Sequence, residues 1–273
     1  MFKFNRFLTT FLLLAFLSLF ISPVLYAASE EELQQAYQAA VNDAETAEAD
    51  EISLNLIVIT EDNNNLVWSG ESGNKKVLMT TWTSWDGYDG MVGKTIRMTQ
   101  YIQARTNGAK GNVTMGIYET TRDIWVTAVP ELQKFCQQNQ IPANDLDLRL
   151  EQLIGLPPHD GNTRFVEFWV SPADLFRPTP DPDITNNAAT LDFPPAVSEE
   201  HQQWFNQLKA SSYGENGYPW TRLGYTYDWG KTDNHIGMSE FIICIGAEVD
   251  IYSVTLTDDY CVHTSHVSHW SLY

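Results

Sequence analysis

What most restricts the folds open to this chain is a succession of short β-prone runs, each closed by a polar or glycine-rich turn. From Ile52 the chain reads "ISLNLIVIT", "NLVWSG", "KKVLMTTWTSW", "KTIRMTQYIQA" and "NVTMGIYE", with "EDNNN" and "GESGN" between the early runs. β-Branched and aromatic residues fit a pleated surface, and turns at these intervals give hairpin spacing. "DIWVTAV", "RFVEFWV", "RLGYTYDW", "SEFIICIGAEVDIYSVTLT" and "CVHTSHVSHW" continue the series to the C-terminus. Strands joined by short turns pair antiparallel.

Helical patterns interrupt the strands. In "SEEELQQAYQAAVNDAETAEA", Ser29 and Glu32 have capping-box spacing, and Leu33, Tyr37, Ala40 and Val41 fall on one face. This predicts a peripheral helix within residues 28–50. Pro130 starts "PELQKFCQQNQ", and "NDLDLRLEQLIG" carries Leu146, Leu150, Leu153 and Ile154 on one stripe before Gly155. "SEEHQQWFNQLKASS" reads as a further helix. The proline- and aspartate-rich stretch 171–195 reads as an ordered loop rather than a linker, anchored by Leu175, Phe176 and Phe193. The expected fold is α+β: a single domain over 51–273, with a mostly antiparallel sheet and three or four helices packed against it.

Residues 1–27 have the form of a secretory signal peptide. Lys3 and Arg6 precede the apolar run "FLLLAFLSLFI", Ser22-Pro23 breaks it, and Ala27 suits cleavage. The run is well short of the roughly 20 residues that cross a bilayer, so the expected destination is periplasmic or secreted, without membrane insertion after cleavage. The formal net charge is −19, and removal of those two cations leaves −21. A polyanion gains nothing from phosphate backbones, so nucleic acid is not an expected partner, and an anionic membrane surface is disfavoured for the same reason. Neutral glycans, small molecules and cations remain. The three cysteines allow one disulfide. Cys244 lies in an apolar run that suits a buried thiol, so the expected bridge joins Cys136 and Cys261.

The sequence holds no phosphate loop, dinucleotide fingerprint, HExxH or CxxC motif, and implies no cofactor. "GMSEF" (237–241) lacks the second glycine of a nucleophile elbow. His263, His266 and His269 are the metal candidates. On a strand, however, a spacing of three sends His266 to the opposite face and leaves the other two about 20 Å apart. Asp86 and Asp89 resemble part of a calcium loop without its distal glutamate. Three residues are catalytic candidates. Glu167 lies between Phe165 and Trp169, an apolar setting that raises a carboxyl pKa, while His159 beside Asp160 could be a base with its orienting acid.

Nine tryptophans and twelve tyrosines exceed what a core of this size calls for, and several fall in turns. "TTWTSWDGYDGMVG" offers Trp85, Tyr88 and Asp89, and "NGYPWTRLGYTYDWG" offers Trp220 and Arg222. Flat aromatic faces beside hydrogen-bonding groups suit a pyranose ring. These five residues are the expected ligand contacts. The functional expectation is an exported, non-catalytic binding or envelope-associated protein for carbohydrate or another small ligand. The alternative is a carboxylate-dependent hydrolase of a cell-wall or polysaccharide substrate.

Overall fold

The computed structural model describes residues 28–84, 102–104, 117–120 and 122–262. The run "RFVEFWV" forms β6 (Arg164–Val170) at the middle of one antiparallel sheet. β2 (Lys76–Thr83) pairs along one side of it and β10 (Glu248–Leu256) along the other. β5 (Ile124–Ala128) joins β2, and β9 (Ile236–Ile243) joins β5. β4 (Ile117–Thr120) joins β10, and β3 (Ile102–Ala104) joins β4. Three short strands complete the pairing: β1 (Trp68–Ser69) on β2, with β7 (Leu175–Phe176) and β8 (Tyr225–Tyr227) on β9.

β9 and β10 are the two halves of a single strand-like run, bent at Cys244–Ala247. The run opposite, β4 into β5, bends with it. Gly246 N donates to Thr120 O at 2.8 Å, and Thr120 N donates to Ala247 O at 2.9 Å. Gly246 has φ +81, a left-handed conformation that a side chain would oppose. Hydrogen bonding therefore continues around the corner. Because β10, β6, β2 and β5 are also paired in succession, the sheet curls back on itself.

The inner face of the curl is apolar. Val77, Met79, Val126, Phe168, Phe241 and Val249 lie there with little or no exposure. Segment 52–60, expected to be a strand, forms none. It runs beside the 184–187 loop, where Leu56 N donates to Asn187 O and Ile59 N to Ile184 O, both at 2.9 Å. From this segment Ile59 enters the core and Ile57 packs against it. Arg177, 1% exposed, fastens both segments: Nη2 donates to Ile57 O at 2.7 Å and Asn186 O at 3.0 Å. Its guanidinium carbon lies 4.6 Å from the centre of the Phe241 ring.

Helices cover the outer face. α1 (Glu30–Ala44) begins at the expected capping box, with Ser29 Oγ and the Glu32 carboxylate each accepting from the other's backbone N–H. α2 (Val129–Asn139) starts at Pro130, α3 (Ala143–Leu153) follows, and α4 (Glu199–Ser212) is capped by Ser198. α5 (Thr257–Val262) completes five α-helices among the described residues, one more than the upper expectation. It also corrects the expected strand at "CVHTSHVSHW": Cys261 and Val262 end a helix, with Asp258 and Asp259 in its first turn. The architecture is a single-domain α+β fold with an antiparallel sheet, and no helix among the described residues is long and apolar enough to cross a membrane.

Cys136 on α2 and Cys261 on α5 are joined, with Cα atoms 5.0 Å apart across a separation of 125 residues. Closing so long a loop restricts the unfolded chain. Cys136→Ser should lower stability by about 2–4 kcal/mol, read as a fall in Tm that reductant produces in the native protein but not in the variant. Gly237 has a different role from an elbow glycine. A Cβ there would overlap Thr226 and the Leu153 carbonyl, where β8, β9 and the end of α3 meet. Gly237→Ala should cost about 1–3 kcal/mol by denaturant unfolding.

Candidate functional site

Side chains on the outer face inherit their positions from strand register. Ser253 is opposite Glu167, Glu167 opposite Thr80, Thr80 opposite Thr127, and Thr127 opposite Glu240. One polar residue from each of β10, β6, β2, β5 and β9 thus forms a row across the sheet. Four of the five are buried. The Glu167 end is internally satisfied: Ser253 Oγ donates to Glu167 Oε2 at 2.6 Å and Gln133 Nε2 to Oε1 at 3.4 Å. The Glu240 end is open. Glu240 is 6% exposed, and its Oε1 is buried without a hydrogen-bond partner.

A cleft of about 410 Å³ lies over that end of the row. Thr80, Thr127 and Glu240 contribute to its floor, Trp82, Trp125 and Trp220 to its aromatic walls, and Asn162 a second unpartnered oxygen, Oδ1. Trp82 is fixed by an Nε1 bond to Thr257 Oγ1 at 2.8 Å and by stacking on Phe165. Trp220 donates to Pro178 O at 3.2 Å and meets the Trp125 ring edge-on, with centroids 6.2 Å apart. Trp125 and Tyr218 remain substantially exposed and form part of the mouth. None of the lining residues is basic.

Burial pushes the Glu240 carboxyl well above its ordinary range, and Arg177, on the inner face, pulls it only part of the way back. Burial also raises the pKa of Glu167. Glu131, which accepts from Ser239 N at 2.9 Å, is pushed up to about 7 by desolvation. Arg177 itself is lowered to about 10 because its charge is buried, against the opposing pull of Glu240 and Glu131.

The sequence-derived site is only partly assembled here. Trp220 lines the cleft as a buried wall. Arg222 does not: it is 8% exposed, and Nη2 donates to the Ala44 and Glu45 carbonyls at 3.1 and 2.7 Å, closing the C-terminal end of α1. Its Nη2 is thus committed to the backbone, while Nε is buried without a hydrogen-bond partner. Trp85, Tyr88 and Asp89, along with Asp86, lie outside the described residues, as do His263, His266 and His269. His159 Nε2 meets Glu30 Oε2 at 2.8 Å on the surface, while Asp160 accepts from Asn162 at 2.5 Å. Asp43, Glu51 and His235 place one donor atom each within 4.8 Å of one another, enough to hold a cation, although Tyr227 and Tyr225 already bond into that group.

Glu240, Thr127 and Trp125 were not singled out from the sequence. A signal exists for Glu240: an acid set within an apolar strand-like run. It marks Glu167 in "RFVEFWV" and applies equally to Glu240 in "GMSEFIICIG". No protein-family model, curated protein or solved structure matches the chain. The cleft is therefore read from its own chemistry.

Glu240 and Glu167 are accommodated best as neutral acids. Their contribution to stability is complete below the unfolded carboxyl value near 4.5 and declines as pH rises towards the raised native values. Glu131 adds to the decline up to about 7. Tm should fall between about pH 5 and pH 8, and Glu240→Gln should flatten that fall in scanning calorimetry. An unchanged slope in the variant would place the cost elsewhere.

Proposed function

We propose that this is an exported binding protein that holds a small ligand in the aromatic cleft without transforming it. One observation carries the reading: three indoles and a buried, unpartnered carboxyl, drawn from β2, β5, β9 and the loop before β8, converge on one cleft. Its volume falls within the range of about 300–1,000 Å³ common to small-molecule sites. Aromatic walls over a short polar floor suit a compact molecule, apolar over most of its surface, with one polar group directed at the sheet. Export rests on the basic and apolar N-terminal pattern, and the disulfide is consistent with an oxidising compartment.

Strand spacing weighs against a paired-carboxylate hydrolase. Glu167 and Glu240 are three strand positions apart, about 14 Å at ~4.8 Å per spacing. Glycosidase carboxyl pairs lie about 5–9.5 Å apart. Arg222 is not among the residues that line this cleft. A small ligand enclosed beside Trp220 is the better fit.

Trp125 separates ligand binding from stability, because 38% of it is exposed at the mouth. With a panel of monosaccharides, amines and small alcohols, tryptophan fluorescence should change on binding and no panel member should be consumed. Trp125→Ala should weaken that binding by about 1–3 kcal/mol with little change in Tm. Turnover of a panel compound, or equal affinity in the variant, would overturn the proposal.

A further inference from the structure

The cleft has an electrostatic character that its shape alone does not convey. Its single ionisable group of low intrinsic pKa is Glu240, and its lining includes no lysine, arginine or histidine. The remaining ionisable lining groups are phenols, Tyr218 and Tyr227. An anionic ligand would meet a carboxyl and aromatic π faces, both unfavourable to it. An organic cation would meet the opposite. Indole faces attract ammonium groups through their quadrupole, more strongly when the site excludes water, and a carboxylate at the base of the cleft supplies the counter-charge.

We infer that the ligand of this cleft is a small organic ammonium ion, held against the aromatic wall that Trp125 and Trp220 form together, with its charge directed at the Glu240 carboxyl. This inference rests on the small-ligand reading of the same cleft. The unpartnered Glu240 Oε1 is its independent support: it is a buried acceptor at the cleft to which no protein donor is assigned. Arg177 does not already fill that role. Its Nη2 donates to backbone carbonyls of Ile57, Ile184 and Asn186, and its Nε and Nη1 are themselves without partners. Arg177 stacks on Phe241, whose ring points inward, whereas Glu240 points outward. The two charges therefore influence each other without bonding. The chain's formal charge of −19 would also favour the approach of cations.

Binding and protonation are then linked. The ammonium ion selects ionised Glu240, so affinity should rise with pH until the free carboxyl is ionised, and binding should release a proton. The other titratable groups that interact electrostatically with Glu240 are Tyr213, raised to about 12, Tyr225, also raised, and Arg177, lowered to about 10. Glu131, at about 7, acts on Arg177 from α2. Glu131 titrates within the pH range to be tested, so the Glu131→Gln variant serves as a control.

The experiment compares choline with 3,3-dimethylbutan-1-ol, its uncharged isostere, on the full chain by calorimetry and tryptophan fluorescence. Choline should bind about tenfold or more tightly than the alcohol. Its affinity should rise from pH 5 to pH 8 in native protein and in Glu131→Gln, while the alcohol's stays level. Glu240→Gln should abolish the preference and its pH dependence while retaining the alcohol. Should that variant fail to fold, the pH dependence of native protein, set against the level response of the alcohol, carries the same decision. Equal affinity for both probes, or a choline preference that survives Glu240→Gln, overturns the ammonium assignment and leaves the cleft reading standing. Binding of neither probe overturns both.

Discussion

Two-sided pairing of β6 is the constraint from which the rest of the molecule follows. All seven of its residues are in register with β2, and the same strand is laddered to β10 on its other edge, with one register shift between Ile251 and Ser253. A strand held on both sides cannot slip by one residue without exchanging every side chain between faces. Val166, Phe168 and Val170 are thus committed to the inner core, and Phe165 and Glu167 to the outer face. The corner at Gly246 extends that commitment to β9 and β5. Once the inner face is closed and apolar, the polar residues of these strands align on the outer face as a continuous row.

The buried charges show which polar groups the fold satisfies and which it leaves available. Asp228, fully buried, receives two hydrogen bonds from Arg149, at 2.8 and 2.6 Å, with Lys231 3.3 Å away. Such a bidentate pair offsets much of the desolvation cost that an isolated charge would carry. Asp228 is accordingly a structural anchor between α3 and the segment after β8. Glu240 is comparably buried, yet its Oε1 has no partner. Of these two acids, the uncompensated one adjoins a cleft. That contrast, more than the number of tryptophans nearby, marks the candidate site.

The aromatic excess also divides by role. Tyr37 and Trp229 pack edge-to-face under α1, while Trp204, Phe205 and Trp220 form a cluster beneath α4. These contacts hold peripheral elements to the sheet. Trp125 is different: it keeps 38% of its surface on a β5 whose alternate residues are buried. A large indole left partly open between two packed neighbours is the feature expected of a ligand wall.

Local chemistry made much of the fold legible in the sequence. The Ser29–Glu32 capping box, the first-turn Pro130, the leucine stripe ending near Gly155 and the bounds of β6 each follow from interactions within a few residues. The Cys136–Cys261 bridge was legible because Cys244 sits in a core-like run. Segment 52–60 was misread as a strand because a β-prone composition cannot reveal whether a partner edge is free, and here the neighbours are loop carbonyls. Cys261 and Val262 were assigned to a strand from the valines and threonines after Leu256, yet they end a helix begun at Thr257. Glu167 drew notice as an acid in an apolar strand, but only tertiary register set it in line with Glu240, 73 positions away in the chain. Trp82, Trp125, Trp220 and Glu240 share no local pattern. Composition determined that the protein would be acidic and aromatic-rich, and local patterning determined an α+β fold with an antiparallel sheet. The curl of that sheet decided which aromatics meet and which carboxyl is left unpaired, because strand order and register are properties of long-range pairing that no short window of sequence contains.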